Sequence, residues 1–140
     1  MIHHPPTETL PRIVVGEREE QRLTTLATSA MLTGRSAYVA RVLLAEMERA
    51  DIVPDARVPG DVVRMNSRVA FEVDGGERRE AELVFPGEAN IDKGKISVLT
   101  PIGTALIGLS PGQLIMLRGV DGRAHRLRVI SVEAPVRQDG

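Results

Sequence analysis

The residues of this chain that could take part in chemistry are few and far apart. Its three histidines are His3, His4 and His125, and it contains no cysteine. A zinc site needs about four nitrogen or sulfur ligands, and a hydrolytic triad needs a histidine beside a nucleophile and an acid. His125 has no flanking motif of either kind, so we interpret it as a structural or surface histidine. The sequence predicts no catalytic residue, no metal site and no cofactor.

Phosphate-binding loops are also missing. Such a loop has two glycines five positions apart, followed by lysine and a hydroxyl residue. Lys95 follows a glycine but precedes Ile96. Gly103 and Gly108 have the required separation, but Leu109 stands where lysine belongs. We therefore expect no nucleotide hydrolysis, and we predict that the protein is not an enzyme.

Two clusters of charge each have two interpretations. The acidic cluster comprises Glu17, Glu19 and Glu20. Acidic side chains in the first turn of a helix are stabilised by the positive end of the helix dipole. We prefer this interpretation to the alternative, a Mg²⁺ site. The basic cluster comprises Arg118, Arg123, Arg126 and Arg128. It is either the solvated face of a strand or a patch for an acidic partner.

The composition limits the kinds of partner. The 140 residues have a formal net charge of −1, with one tyrosine, two phenylalanines and no tryptophan. Binding of nucleic acid usually needs a basic surface or aromatic side chains for stacking, so the composition argues against it. No apolar run approaches the roughly 18 residues of a membrane span. Because the absence of cysteine fits a reducing compartment, we expect a cytoplasmic protein with no membrane contact.

Residues 1–55 have the pattern of a short antiparallel helical hairpin. The apolar residues recur at spacings of three and four: Leu23, Leu26, Ala27, Ala30 and Met31, then Val39, Val42, Leu43, Met47 and Ala50. This spacing places each set on one helical face. Thr33, Gly34 and Arg35 interrupt the pattern and predict the tip, and Ser36 is predicted to cap the second helix, which ends near Val53. Helices of about 16 residues reach roughly 25 Å.

Residues 56–140 change to the two-residue period of strands. Five strands are predicted, at residues 69–73, 81–85, 96–98, 114–117 and 125–133. In the last strand the apolar side flips after Val129, which indicates a bulge or a passage from an edge into the core. Between the third and fourth strands, Thr100 caps a short helix that begins with Pro101, and Gly108 ends it. We predict an α+β fold with domains at 1–55 and 56–140, the second a mostly antiparallel sheet crossed by one helix.

The stretch KGKISVLTPIGTALIGLSPGQ, residues 93–113, resembles the C-terminal domain of the bacterial Gre transcript-cleavage factors. The resemblance extends over residues 62–133. It implies the fold of the FK506-binding prolyl isomerases, a sheet wrapped over one helix. DVVRMNSRVAF (61–71) and PIGTALIGL (101–109), with the short helical arm, are similar to one branch, the regulators of nucleoside diphosphate kinase.

The resemblance implies a partner and a docking segment. Gre factors dock this domain on RNA polymerase near the rim of the secondary channel. The matching residues here are Leu99, Thr100, Pro101 and Ile102. Some family members carry an acid where Leu99 stands, which puts a polar contact at that position in doubt.

The resemblance does not extend to catalysis. Gre factors present two acids at the tip of a long coiled coil to hold a catalytic Mg²⁺, but residues 32–36 contain no carboxylate. An arm of roughly 25 Å is also too short to reach a deep active site. Isomerases of this fold line their pocket with aromatic side chains, and this chain has too few of them. Neither activity is expected.

We therefore expect a monomeric, non-enzymatic regulator that binds RNA polymerase through its Gre-like domain and modulates elongation or competes with Gre factors. The alternative is a regulator of nucleoside diphosphate kinase, or of related nucleotide metabolism, that acts through another protein partner. No residue of the sequence points to a kinase-specific surface.

Overall fold

A pair of antiparallel helices forms the N-terminal part of the computed structural model, which describes residues 10–135. Helix α1 spans Glu17–Thr33 and α2 spans Ala37–Arg49. The buried residues of α1 are Leu23, Ala27 and Ala30, at the predicted spacing, and the three acids lie in its first turn. At 1.5 Å per residue, helices of 17 and 13 residues extend about 25 and 20 Å. The prediction of a short hairpin is confirmed.

The tip reverses the chain through two left-handed residues, Gly34 (φ 74°) and Ser36 (φ 50°). The N–H groups of Gly34 and Arg35 donate to carbonyl groups at the end of α1, which closes that helix. Ser36 is the N-cap of α2, but its side chain makes no capping bond. The predicted role of its hydroxyl is wrong, because side-chain capping requires an extended backbone at that residue.

The base of the hairpin is a two-stranded parallel sheet that was not predicted from the sequence. Strand β1 (Val14–Gly16) enters the hairpin and pairs with β2 (Asp51–Val53), which leaves it. Helix α2 therefore ends at Arg49, earlier than predicted. Residues 51–53 leave the helix because their backbone groups bond to β1 instead.

The C-terminal part is a five-stranded mixed sheet. Its strands are β3 (Arg68–Val73), β4 (Arg79–Val84), β5 (Lys95–Ser97), β6 (Leu114–Arg118) and β7 (Ala124–Glu133). Their order is β5-β4-β3-β7-β6, with only β5 paired in parallel, to β4. Ala70 pairs with Ser131 and Phe71 with Val129, so Ile130 is the extra residue of a bulge. The bulge explains the flip of the apolar side and confirms the first of the two predicted causes.

Helix α3 (Pro101–Leu106) crosses the sheet. The hydroxyl of Thr100 accepts a hydrogen bond from the N–H of Gly103 at 3.0 Å, which confirms the predicted cap. A Cβ at Gly103 would lie 2.0 Å from the carbonyl oxygen of Ser97, so only glycine lets the helix approach β5 this closely. Gly108, the predicted end of the helix, has a positive φ of 81°, but the helix ends two residues before it, at Leu106.

One hydrophobic cluster joins the two parts of the chain. Leu23, Ala27, Leu43 and Met47 of the arm belong to the same cluster as the buried residues of the sheet and α3. The division at residue 55 stays a prediction. Among the helices of residues 10–135, none is long and apolar enough to cross a membrane.

Candidate functional site

An apolar groove lies beside the beginning of α3, with a volume of about 660 Å³. Strands β3, β4, β5 and β6 form its walls, together with the loops after β4 and β6. We call it the α3 groove and define it by these apolar side chains: Phe71, Val73, Ile91, Ile96, Pro101, Ile102, Leu117 and Val120. Arg79, Glu80 and Lys95 add polar groups to its lining. An apolar concavity with a few polar side chains is the usual form of a protein-binding or ligand-binding site.

Two exposed aliphatic side chains belong to this groove. Ile91 is 88% exposed and Val120 is 96% exposed. Both lie in the connections between strands. Exposed apolar side chains in such connections often form contacts with a binding partner. Neither was predicted from the sequence, since neither belongs to a periodic apolar pattern. The available signal was an aliphatic residue inside a turn rich in glycine and aspartate.

The predicted docking segment divides into two kinds of residue. Leu99 packs against the hydrophobic core and does not line the groove. The hydroxyl of Thr100 is occupied, since it donates to the carbonyl group of Ser97 at 2.7 Å and caps α3. Pro101 and Ile102 are half-buried and line the groove. They are therefore the residues of this segment best placed to contact a partner.

His125 lines the α3 groove and connects two turns. Its Nδ1 lies 2.6 Å from Oδ2 of Asp74, in the turn after β3, and its Nε2 lies 3.0 Å from Oδ2 of Asp121, in the turn after β6. The hydrogen bonds to Asp74 and Asp121 raise the pKa of His125. The N–H groups of Arg126 and Arg123, followed by His125, lower the pKa values of Asp74 and Asp121 respectively. These hydrogen bonds are what a structural histidine would make.

The four arginines of the basic cluster are all exposed. Arg126 and Arg128 line a shallow cavity of about 400 Å³, together with Leu114, Met116 and the acidic residues Glu72 and Asp74. Arg118 and Arg123 lie nearer the turn, where Arg118 donates to the carbonyl group of Gly122 at 2.9 Å. Arg128 has a long contact of 3.9 Å with Glu72. The cluster is thus a surface of the β6–β7 hairpin, distinct in its lining from the α3 groove.

The remaining candidates do not join the groove. Thr33, Gly34 and Arg35 are exposed at the tip of the arm. In the acidic cluster, Glu19 accepts a hydrogen bond from the N–H of Met65 at 3.2 Å, and burial raises its pKa. Glu20 accepts one from the hydroxyl of Thr24. From Leu10 to Pro135, no group of three or more acidic or histidine side chains is placed to hold a metal ion.

The part of the chain that contains the groove matches a family model. Residues 58–134 match the model described as "Transcription elongation factor, GreA/GreB, C-term". This range covers β3 to β7, α3 and every residue of the α3 groove. The groove therefore lies within the matched domain.

Individual proteins show the same relationship. A "Regulator of nucleoside diphosphate kinase" of Escherichia coli strain K12 is 34% identical over 88% of this chain and 90% of its own length. A "Transcription elongation factor GreA" of Thermodesulfovibrio yellowstonii is 30% identical over 64% of this chain and 57% of its own length. A solved structure titled "Prokaryotic transcription elongation factor GreA/GreB from Nitrosomonas europaea" has a TM-score of 0.67 and 33% identity, covering 88% of this chain and 98% of that one.

Proposed function

Because this chain belongs to the GreA/GreB family of transcription elongation factors, we propose that it binds bacterial RNA polymerase through the α3 groove. The observation that carries the proposal is the position of Pro101 and Ile102 in this groove, beside the exposed side chains of Ile91 and Val120. Gre-like docking uses the segment that matches these first residues of α3. The groove surrounds that segment with an apolar surface, from which a bound partner would exclude water.

Binding to polymerase would occur without stimulation of transcript cleavage. The tip, residues 32–36, carries no carboxylate, and the helices extend only about 25 and 20 Å. Such an arm would occupy the mouth of the secondary channel and exclude other factors that enter it. The protein acts in this proposal as a monomeric, non-enzymatic regulator of elongation in the cytoplasm.

The first test is co-sedimentation of the full chain with bacterial core RNA polymerase, with a Gre factor as competitor. We expect binding at micromolar concentrations that the competitor displaces. The variant Ile91→Glu with Val120→Glu should lose at least tenfold in affinity, because each places a charge on an apolar contact surface. Both side chains are almost fully exposed, so the fold should be unaffected.

A second variant and a control complete the test. Pro101→Ala with Ile102→Glu should also abolish binding, although Ile102 packs against the core and this variant needs a folding check. Ile52→Glu changes another exposed aliphatic side chain, on β2, and should bind as the natural chain does. Unchanged affinity of both groove variants, or no binding of the natural chain, would reject the docking proposal.

A second candidate function comes from the relative named for nucleoside diphosphate kinase, which spans 88% of this chain. In this alternative, the chain regulates that kinase through direct contact. Affinity capture from a bacterial lysate separates the two candidates, because polymerase subunits and the kinase differ greatly in size. Recovery of the kinase without polymerase would favour the alternative.

A further inference from the structure

We propose that the open edge of β6 is a second binding site, which accepts an extended segment of a partner protein as an added strand. The segment would alternate apolar and acidic residues. This site goes beyond polymerase docking, since it uses the backbone of β6 and the basic cluster rather than the α3 groove. The structure supports it through three features: unpaired backbone groups, an adjacent apolar cleft and an excess of positive charge.

The backbone of β6 has one paired side and one open side. The N–H of Val129 donates to the carbonyl group of Gln113, and the N–H of Gly119 donates to that of Arg123. Bonded and non-bonded positions alternate in an antiparallel pair, so Ile115 and Leu117 bond to β7. The N–H and C=O groups of Leu114, Met116 and Arg118 therefore point away from the sheet.

No group within residues 10–135 forms a hydrogen bond with these outward backbone groups. The opposite edge of the sheet differs. Strand β5 has three residues, and Asn90 and Lys95 exchange two backbone hydrogen bonds of 2.9 Å there. Natural proteins usually protect an open edge with charges, proline or a bulge. Strand β6 reads Leu-Ile-Met-Leu-Arg and has a single charge, at its end.

An apolar cleft of about 230 Å³ adjoins this edge. Tyr38, Val39 and Val42 of α2 form one side, and Ala105 of α3 and Ile115 of β6 form the other. Successive side chains of a strand point to opposite faces. Every second side chain of an added strand would thus face the cleft, where an aliphatic residue fits.

The remaining side chains of an added strand would lie on the face that carries the basic cluster. On that face Leu114 pairs with Arg128 and Met116 with Arg126, and all four side chains are exposed. Two carboxylates lie beside these arginines: that of Glu72, at 3.9 Å from Arg128, and that of Asp74, which accepts a hydrogen bond from the N–H of Arg126 at 2.8 Å. Arg118 lies on the same face of β6 as Leu114 and Met116, so three arginines stand against these two carboxylates, and acidic side chains on the added strand would meet a net positive charge.

The charges also favour an acidic partner over a second copy of this chain. Pairing of β6 with β6 of another copy would bring the arginines of both copies onto one face, where like charges repel. Nucleic acid offers no backbone groups with strand spacing, and the cavity beside Arg126 and Arg128 has no aromatic lining for stacking. A protein segment of alternating apolar and acidic residues satisfies all three features.

The test uses ¹⁵N-labelled full chain and a synthetic peptide of alternating valine and glutamate, a strand of about eight residues. In the free protein, the amides of Leu114, Met116 and Arg118 should exchange rapidly with solvent, and those of Ile115 and Leu117 slowly. Addition of the peptide should slow exchange at the first three. Slow exchange at Met116 before addition would overturn the proposal, because the edge would already be covered.

Control peptides test charge and backbone pairing separately. Replacement of glutamate by lysine should weaken binding roughly tenfold, as several ion pairs become repulsive. N-methylation at alternate peptide bonds should abolish binding when it removes the groups that face β6. Equal affinity for all three peptides would show a non-specific contact and reject the site.

Variants distinguish this site from polymerase docking. Arg126→Glu with Arg128→Glu should lower affinity for the valine–glutamate peptide roughly tenfold, and both residues are exposed, so folding should be preserved. Met116→Pro removes an outward N–H and breaks no hydrogen bond to β7, and it should also weaken binding; Met116→Ala, which keeps the N–H, controls for loss of the side chain. Ile91→Glu with Val120→Glu should leave peptide affinity unchanged. Loss of peptide binding in this last variant alone would place the peptide in the α3 groove instead.

Discussion

At the scale of single residues, His125 shows how one side chain can position two loops. Both of its ring nitrogens face carboxylate oxygens, of Asp74 and Asp121. Only the protonated imidazole can donate on both sides. The turn that contains Asp121 also carries Val120, so the cluster helps to hold that exposed side chain at the α3 groove.

This cluster predicts a pH-dependent stability. Because the pKa of His125 is raised in the folded protein, its hydrogen bonds add their full stability below the ordinary pKa of about 6.5. This stability is lost as the pH rises through the raised pKa of the folded state. The pKa values of Asp74 and Asp121 are lowered, so their carboxylates add their full stability above about pH 3.9. This stability is lost as the pH falls through their lowered pKa values in the folded protein. The difference in Tm between the natural chain and His125→Gln should thus be largest between about pH 4 and 6.5. Thermal unfolding across pH measures it, and a constant difference would indicate packing alone.

Gly108 is a second residue whose neighbours determine its identity. Its carbonyl group accepts from the N–H of Val14 at 3.2 Å, and a Cβ would lie 2.8 Å from that of Ile13. Gly108→Ala should therefore combine backbone strain with a clash and cost about 2–4 kcal/mol in the free energy of unfolding. Gly112→Ala is the matched control: φ is similarly positive, at 88°, but nothing lies within 4 Å. Its cost should be about 1–2 kcal/mol, and equal costs in urea unfolding would mean that the contact with Ile13 relaxes freely.

At the scale of elements, features that depend on neighbouring residues were predicted from the sequence more often than features that join residues far apart in the chain. The cap of α3 was predictable because Thr100 and Gly103 are three residues apart. The β1–β2 pair was missed because each strand has three residues and residues 14 and 51 meet only through the fold. The ion pair of Glu46 with Arg49 was missed for a different reason. Glu46 is only 6% exposed, and helical spacing alone does not show that an acid is buried.

The cap of α3 is open to a direct test. Thr100→Val removes the acceptor for the N–H of Gly103 and should cost about 1 kcal/mol in stability, within a usual range of about 0.5–2. Thr100→Ser keeps the hydroxyl and should restore most of that loss. Chemical denaturation of both variants is the measurement. An equally destabilised serine variant would show that the methyl group, and not the cap, is responsible.

At the scale of the whole molecule, the two parts share one core. Leu23 and Leu43 of the arm are as fully buried as Leu83 and Val129 of the sheet, and all four belong to one cluster. We expect a single unfolding transition, with hydrogen exchange at these four residues governed by the same global free energy. Faster hydrogen exchange at Leu23 and Leu43 than at Leu83 and Val129 would show that residues 10–55 unfold independently. The α3 groove emerges only at this scale, since distant segments such as Phe71, Ile91, Ile102 and Val120 meet there.

The pairing of β1 with β2 has a consequence for how such proteins diversify. The chain enters and leaves the helical hairpin at one point, where Val14 pairs with Asp51 and Gly16 with Val53. The cluster shared with the sheet reaches only as far along the arm as Ala27 and Leu43. Beyond them, equal insertions into both helices would lengthen the arm by about 1.5 Å per residue without moving its anchorage. The length of the hairpin and the residues at its tip can thus change without altering the α3 groove.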